Sequence, residues 1–137
     1  MDRHGWIYER LTAVPLFANL DKKHLKQISS LATQIEVKAG KDLTREGEHG
    51  SEFIIVLEGE AEVKVDGQVV ATRGPGDYFG EIALLANRPR TATVTAKTPM
   101  RIEVIGRREF QTLLEDNPGI ATELLAATAD RLAENDH

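Results

Sequence analysis

Residues 52–73 read EFIIVLEGEAEVKVDGQVVATR, and this stretch decides the fold. Glu52 to Glu58 is a dense, β-branched run that stops at Gly59. AEVKV (61–65) and QVVATR (68–73) flank Asp66-Gly67, a strong signal for a two-residue hairpin. Working outward, QIEVK (34–38) alternates and AGKDL (39–43) makes a turn. Gly74 to Asp77 (GPGD) makes another turn, and ATVTA (92–96) and RIEVI (101–105) read as further strands. Short antiparallel strands with frequent glycine turns suggest a barrel or jelly roll.

The period is helical on either side. Residues 5–14 (GWIYERLTAV) form a short amphipathic pattern that Pro15 interrupts. A second helix is expected from about Asp21 to Ala32, with Asn19 or Asp21 as its cap and Leu25, Ile28, Leu31 and Ala32 at helical spacing. After Ile105, Phe110, Leu113 and Leu114 share a face, and Asn117-Pro118-Gly119 breaks that helix. A last helix is expected from about Ile120 to Glu134, with Ile120, Leu124, Leu125, Thr128 and Leu132 as its stripe. No linker divides the chain. The expectation is one α+β domain over residues 1–137, with helices at about 5–32, strands at about 34–105 and helices at about 107–134.

Totals narrow the function. A chain of 137 residues can bury a core without staples. It has no cysteine and a formal net charge of −5. That balance argues against a nucleic-acid surface, where a basic face is expected. No apolar run approaches the length of a membrane span, and the N-terminus MDRHGWIYERL lacks the apolar middle of a signal peptide. A cytoplasmic protein with no membrane partner is expected. His4, His24, His49 and His137 are scattered without ligand spacing, which points away from a metal-dependent jelly-roll enzyme. Gly74-Pro75-Gly76 and Gly80 are turn punctuation, because no βαβ unit surrounds them.

The chemistry concentrates in Phe79 to Val94, FGEIALLANRPRTATV. A turn hands over to a short helix at Glu81. The backbone N–H groups at a helix start have no intrahelical partner and suit an anion, phosphate above all. Gly80 lets the backbone approach closely, and Ala83 and Ala92 are small for the same purpose. Arg90 supplies a planar fork for two phosphate oxygens. Glu81 would repel such an anion. It makes sense if it accepts hydrogen bonds from a hydroxyl of the same ligand, or orients Arg90. A ribose phosphate carries both groups.

These residues resemble the cyclic-nucleotide-binding domain of bacterial cyclic-AMP receptor proteins, cyclic-nucleotide-dependent kinases and gated channels. The shared pattern stands here as Phe79-Gly80-Glu81-Ile82-Ala83-Leu84 and Pro89-Arg90-Thr91-Ala92-Thr93-Val94. PLFANLDKKHLKQISS (15–30), REGEHGSEFIIVLEGEAEV (45–63) and GPGDYFGE extend the likeness. The resemblance implies an eight-stranded jelly roll flanked by N-terminal helices and two C-terminal helices. It implies a non-enzymatic sensor of a cyclic nucleotide, with cyclic AMP (cAMP) expected ahead of cyclic GMP (cGMP) as the ligand, and no metal. Phe79, Gly80, Glu81, Ile82, Ala83, Arg90, Thr91 and Ala92 would form the site. Glu81 would take the ribose 2′-hydroxyl and Arg90 the cyclic phosphate. A hydroxyl at Thr91 keeps cGMP in play.

The last helix would fold over the base as a lid, with Leu124, Leu125 and Thr128 as base contacts. Signalling would pass through movement of the terminal helices to a downstream protein. The same helix can pair weakly with a second copy, so a monomer or weak homodimer is expected. Two alternatives stand beside this reading. One is a ligand-free interaction module on the same fold. The other is a regulatory fragment of a larger transcription factor, kinase or channel.

Overall fold

The computed structural model describes residues 10–11, 13–18, 20–81, 84 and 88–135. Most of the helix expected over residues 5–14 lies outside them, although Arg10 and Leu11 have helical backbone. A 3-10 turn at Pro15–Phe17 follows, then helix α1 at Lys22–Leu31. The eight strands are β1 Thr33–Val37, β2 Asp42–Thr44, β3 Glu52–Glu58, β4 Ala61–Val65, β5 Gln68–Arg73, β6 Tyr78–Phe79, β7 Thr93–Ala96 and β8 Met100–Gly106. Helices α2 (Arg107–Asp116) and α3 (Pro118–Asn135) complete the order.

Asp21 caps α1: its side chain accepts the His24 N–H at 3.0 Å. This satisfies one of the donors that a helix start leaves open. The other candidate cap, Asn19, lies outside the described residues.

The strands pair antiparallel in two four-stranded sheets, β1-β8-β3-β6 and β2-β7-β4-β5. This is the jelly roll. Ile54, Val56, Val63, Phe79, Val94 and Ile102 are among the residues that fill the space between the sheets. On the outer face of the first sheet, Phe53, Ile55, Leu57 and Ile105 meet Phe17, Leu25, Ile28, Phe110, Leu113 and Leu124 from the helices. Strand β3 is therefore buried on both faces, which is why EFIIVLE shows no alternation. Phe53 anchors the helical layer through an edge-on contact with Phe110, ring centroids 4.7 Å apart.

The hairpin between β4 and β5 turns on Asp66 (φ 52°) and Gly67 (φ 78°). Both are left-handed, as a twist-matched two-residue turn requires. Its strands match the sequence reading residue for residue. A register shift pairs Val63 with Ala71 and Lys64 with Val69, so Val70 is the extra residue of a bulge. Both Val69 and Val70 are exposed on this edge strand.

Two strands were not legible in the residues. β2 falls where a turn was expected; it pairs with β7, and Thr95 Oγ1 donates to Asp42 at 2.7 Å. β6 is two residues long, too short to show a period, and pairs Phe79 with Ile54 and Tyr78 with Ile55. The expected break at Asn117-Pro118-Gly119 narrows to one residue. Buried Asn117 donates its amide to the Leu113 carbonyl at 2.9 Å and ends α2, while Pro118 opens α3 at the position where its missing N–H is harmless. Of the expected stripe on α3, Ile120 and Leu124 are buried, but Leu125 is 60% exposed. Adjacent leucines point 100° apart on a helix, and the layer formed by the 3-10 turn and α2, on which α3 packs, accepts only one of them.

Among the described residues, no helix is long and apolar enough to cross a membrane.

Candidate functional site

Strand β6 ends the approach to the site and Gly80 turns it, with φ +95°. A side chain at that position would be strained by the backbone. Its Cβ would also lie 2.6 Å from Arg90 Nη1 and 2.7 Å from the Glu52 carbonyl oxygen. Glu81 and Leu84 then have helical backbone. Glu81 is 2% exposed, so its carboxylate is buried.

Arg90 comes from the other side and is 8% exposed. Its backbone pairs with the turn between β2 and β3: its N–H donates to the Glu48 carbonyl at 2.8 Å, and its carbonyl accepts the Gly47 N–H at 2.9 Å. Its guanidinium donates through Nη2 to the Glu52 carbonyl at 2.9 Å and through Nη1 to the Gly80 carbonyl at 3.2 Å. The guanidinium packs directly against Gly50, where a Cβ would overlap Arg90 Nε and Cζ. Burial lowers the proton affinity of Arg90, the carboxylates of Glu52 and Glu81 oppose that shift, and the charge of Arg107 adds to it. Arginine stays charged throughout the physiological range.

The arrangement is thus a buried carboxylate and a buried guanidinium meeting at a glycine turn. Burying charge is unfavourable unless it is paired and hydrogen-bonded. Such a pair can bind a small ligand that offers an anion to Arg90 and hydroxyl donors to Glu81.

The other expected site residues divide. Phe79 is buried between the sheets and fixes the turn through packing. Thr91 is exposed beside Arg90. Ala92 is half-buried, and its carbonyl accepts from Thr44 Oγ1 at 3.0 Å, which holds β2 to the end of the cassette. Ile82 and Ala83 lie outside the described residues. On α3, Thr128 Oγ1 donates to the Leu124 carbonyl at 2.7 Å. Among the described residues, no group of three metal-ligating side chains comes together, and His49 is exposed in its turn.

Reading the sequence missed three participants. Gly50 is the platform for Arg90, Glu52 offers its carbonyl, and Arg107 reaches the same corner from the start of α2. Only the glycine turn of EHGSE carried a signal for any of them.

The family model described as "Cyclic nucleotide-binding domain" matches residues 34–117. A "cAMP-dependent protein kinase regulatory subunit" of Yarrowia lipolytica is 40% identical over 128 residues, covering 92% of this chain and 31% of that protein. The chain therefore spans less than a third of that relative's length. Among solved structures, a "cAMP bound PfPKA-R (141-441)" superposes with a TM-score of 0.88 at 28% identity, over 96% of this chain and 46% of the other. A triple mutant of the regulatory subunit of a cAMP-independent protein kinase A from Trypanosoma brucei, bound to cAMP in its A site, gives a TM-score of 0.77 at 31% identity. That match covers 88% of this chain and 45% of the other.

Proposed function

The chain belongs to the cyclic nucleotide-binding domain family, and on that premise we propose that it is one non-enzymatic sensor domain that binds cAMP through Glu81 and Arg90. One observation carries the reading: two opposite charges, both almost fully buried, converge at the Gly80 turn inside the matching motif. Arg90 holds the cyclic phosphate, and Glu81 accepts the ribose 2′-hydroxyl. Gly80, Ile82, Ala83 and Ala92 allow the sugar phosphate to approach the backbone. Thr91, exposed beside Arg90, leaves room for a weaker interaction with cGMP.

Signalling is a population shift. The ligand favours the arrangement in which the cassette and the terminal helices close, and it does so only by its differential affinity for the two arrangements. A downstream protein then reads the position of α2 and α3. The reading includes a cytoplasmic location, a metal-free site and no contact with nucleic acid.

Calorimetric titration with cAMP and cGMP, with Arg90→Ala as control, tests the proposal. Removing one side of a buried charge pair costs about 2–5 kcal/mol. Arg90→Ala is expected to weaken cAMP binding roughly thirty-fold to several thousand-fold. Unchanged affinity in the variant would remove Arg90 from the site. Absence of heat and of any thermal shift with either nucleotide would overturn the ligand reading.

The second reading, a ligand-free interaction module, has one observation in its favour: a neighbour of the same fold is called cAMP-independent. Its cAMP-bound form, however, carries three introduced residues: an alanine and an arginine at the spacing of Ala83 and Arg90, and a further alanine that falls at the spacing of Thr91. This chain already has the first two of the three, including the arginine, which supports the sensor.

A further inference from the structure

From Arg90 to Thr93 the fold engages every residue except Thr91. Arg90 is held through its backbone and its guanidinium, and the Ala92 carbonyl accepts from Thr44 Oγ1. Thr93 is half-buried, and its Oγ1 accepts the Glu46 N–H at 2.9 Å. Thr91 stands between these fixed neighbours at a bend. It is exposed, and among the described residues its hydroxyl has no hydrogen-bond partner.

Arg88, three residues before Thr91, is also exposed and makes no ion pair among the described residues. Pro89 disfavours helical backbone at Arg88, and residues 88–90 have no regular secondary structure. An accessible, irregular chain with an arginine three residues before a hydroxyl is a charge pattern that arginine-directed protein kinases read. The sequence offers this pattern twice, because Arg90 stands three residues before Thr93. Folding removes the second copy: Arg90 is buried and the Thr93 hydroxyl is bonded. We infer that Thr91 is a phosphorylation site at which a kinase closes the Glu81–Arg90 site to its ligand. The inference rests on the ligand reading above.

In the transfer, Thr91 Oγ1 attacks the γ-phosphorus of ATP. The bond from that phosphorus to the bridging oxygen breaks, ADP leaves, and the hydroxyl proton passes to the catalytic aspartate of the kinase. The product carries a charge of about −1.5 to −2 on the residue next to Arg90. Consecutive Cα atoms are about 3.8 Å apart. The new dianion therefore stands within about one Debye length, roughly 8 Å, of a cyclic phosphate seated on Arg90 and repels it with little screening. By linkage, a seated ligand opposes phosphorylation.

The test uses the full chain, ATP and a purified arginine-directed serine/threonine kinase, with phosphates located by mass spectrometry. A peptide of residues 87–94 is the unfolded reference. Both threonines of the peptide are expected to be modified, but only Thr91 of the folded chain. Arg88→Ala slows modification of Thr91 about tenfold or more, and saturating cAMP suppresses it. Calorimetry on the phosphorylated chain then shows cAMP binding weakened about a hundred-fold. Thr91→Val, carried through the same incubation, keeps the affinity it had before. An unmodified peptide overturns the inference, because the arginine pattern is then not read. A modified peptide beside a folded chain that carries phosphate on Thr93, or on neither threonine, overturns it equally. Unchanged cAMP affinity with phosphate on Thr91 overturns the closure while the ligand reading stands. No cAMP binding before phosphorylation overturns both, which separates the two failures.

Discussion

Gly50→Ala is the sharpest perturbation of this site, because Gly50 touches no ligand in the proposed arrangement and yet Arg90 depends on it. The φ of Gly50 is outside the left-handed region, so alanine fits the backbone there. What it meets is the end of a side chain: the added Cβ lies 2.5 Å from Arg90 Nη2 and closer still to Nε and Cζ. Ordinary contact needs about 3.5 Å or more. The guanidinium must therefore retreat by more than about 1 Å, enough to break its bonds of 2.9 Å to the Glu52 carbonyl and 3.2 Å to the Gly80 carbonyl. Each hydrogen bond to a charged group is worth about 1.5–3 kcal/mol. Losing the alignment of one such bond in the bound state weakens cAMP about tenfold to about a hundred-fold. Stability should fall as well, by about 1.5–3 kcal/mol for each such bond that is not remade. Calorimetry on the unmodified protein, Gly50→Ala, Arg90→Ala and the double variant forms a closed cycle. The double variant should bind like Arg90→Ala alone, because alanine at position 50 has nothing left to displace. Unmodified affinity in Gly50→Ala, or additive losses in the double variant, would refute this reasoning.

Glu81→Ala should weaken cAMP about tenfold or more and abolish discrimination against 2′-deoxy-cAMP, measured by competition. Retained discrimination would detach Glu81 from the ribose. Asp21 titrates below its ordinary value of 3.8, first because its carboxylate accepts the backbone N–H of His24 and then through the His24 side chain. A depressed carboxylate stabilises above its unfolded value and loses that contribution as pH falls through the folded one. Thermal melts between about pH 5 and pH 2 should show this step in the unmodified protein and not in Asp21→Asn, whose amide oxygen still caps α1. Leu124→Ala should cost about 2–5 kcal/mol in denaturant unfolding. The neighbouring change Leu125→Ala should stay within about 0.5 kcal/mol.

Much of the fold was legible because its signals are local. The hairpin at Asp66-Gly67 depends on which residues tolerate positive φ, and that property travels with the residue. The cap at Asp21 and the stop at Asn117 depend on donors and acceptors within one turn of chain. Glu81 and Arg90 stood out because a motif of fixed spacing carries both.

What stayed hidden was settled by contacts between distant parts of the chain. β2 and β6 are strands because β7 and β3 lie beside them, not because three or two residues show a period. On α3 the sequence offered two adjacent leucines, and only the packing against the 3-10 turn and α2 chose Leu124 over Leu125. Arg90 meets the Glu52 carbonyl across 38 positions, and Arg107 meets the Gly50 carbonyl across 57. The sequence by itself determined the local turns and stops, and which two charges the site contains. The tertiary structure alone decided the backbone those charges lie on and the helix tied to them. Carbonyl oxygens and glycine platforms carry no side-chain identity, so no residue pattern announces them until the chain has folded them together.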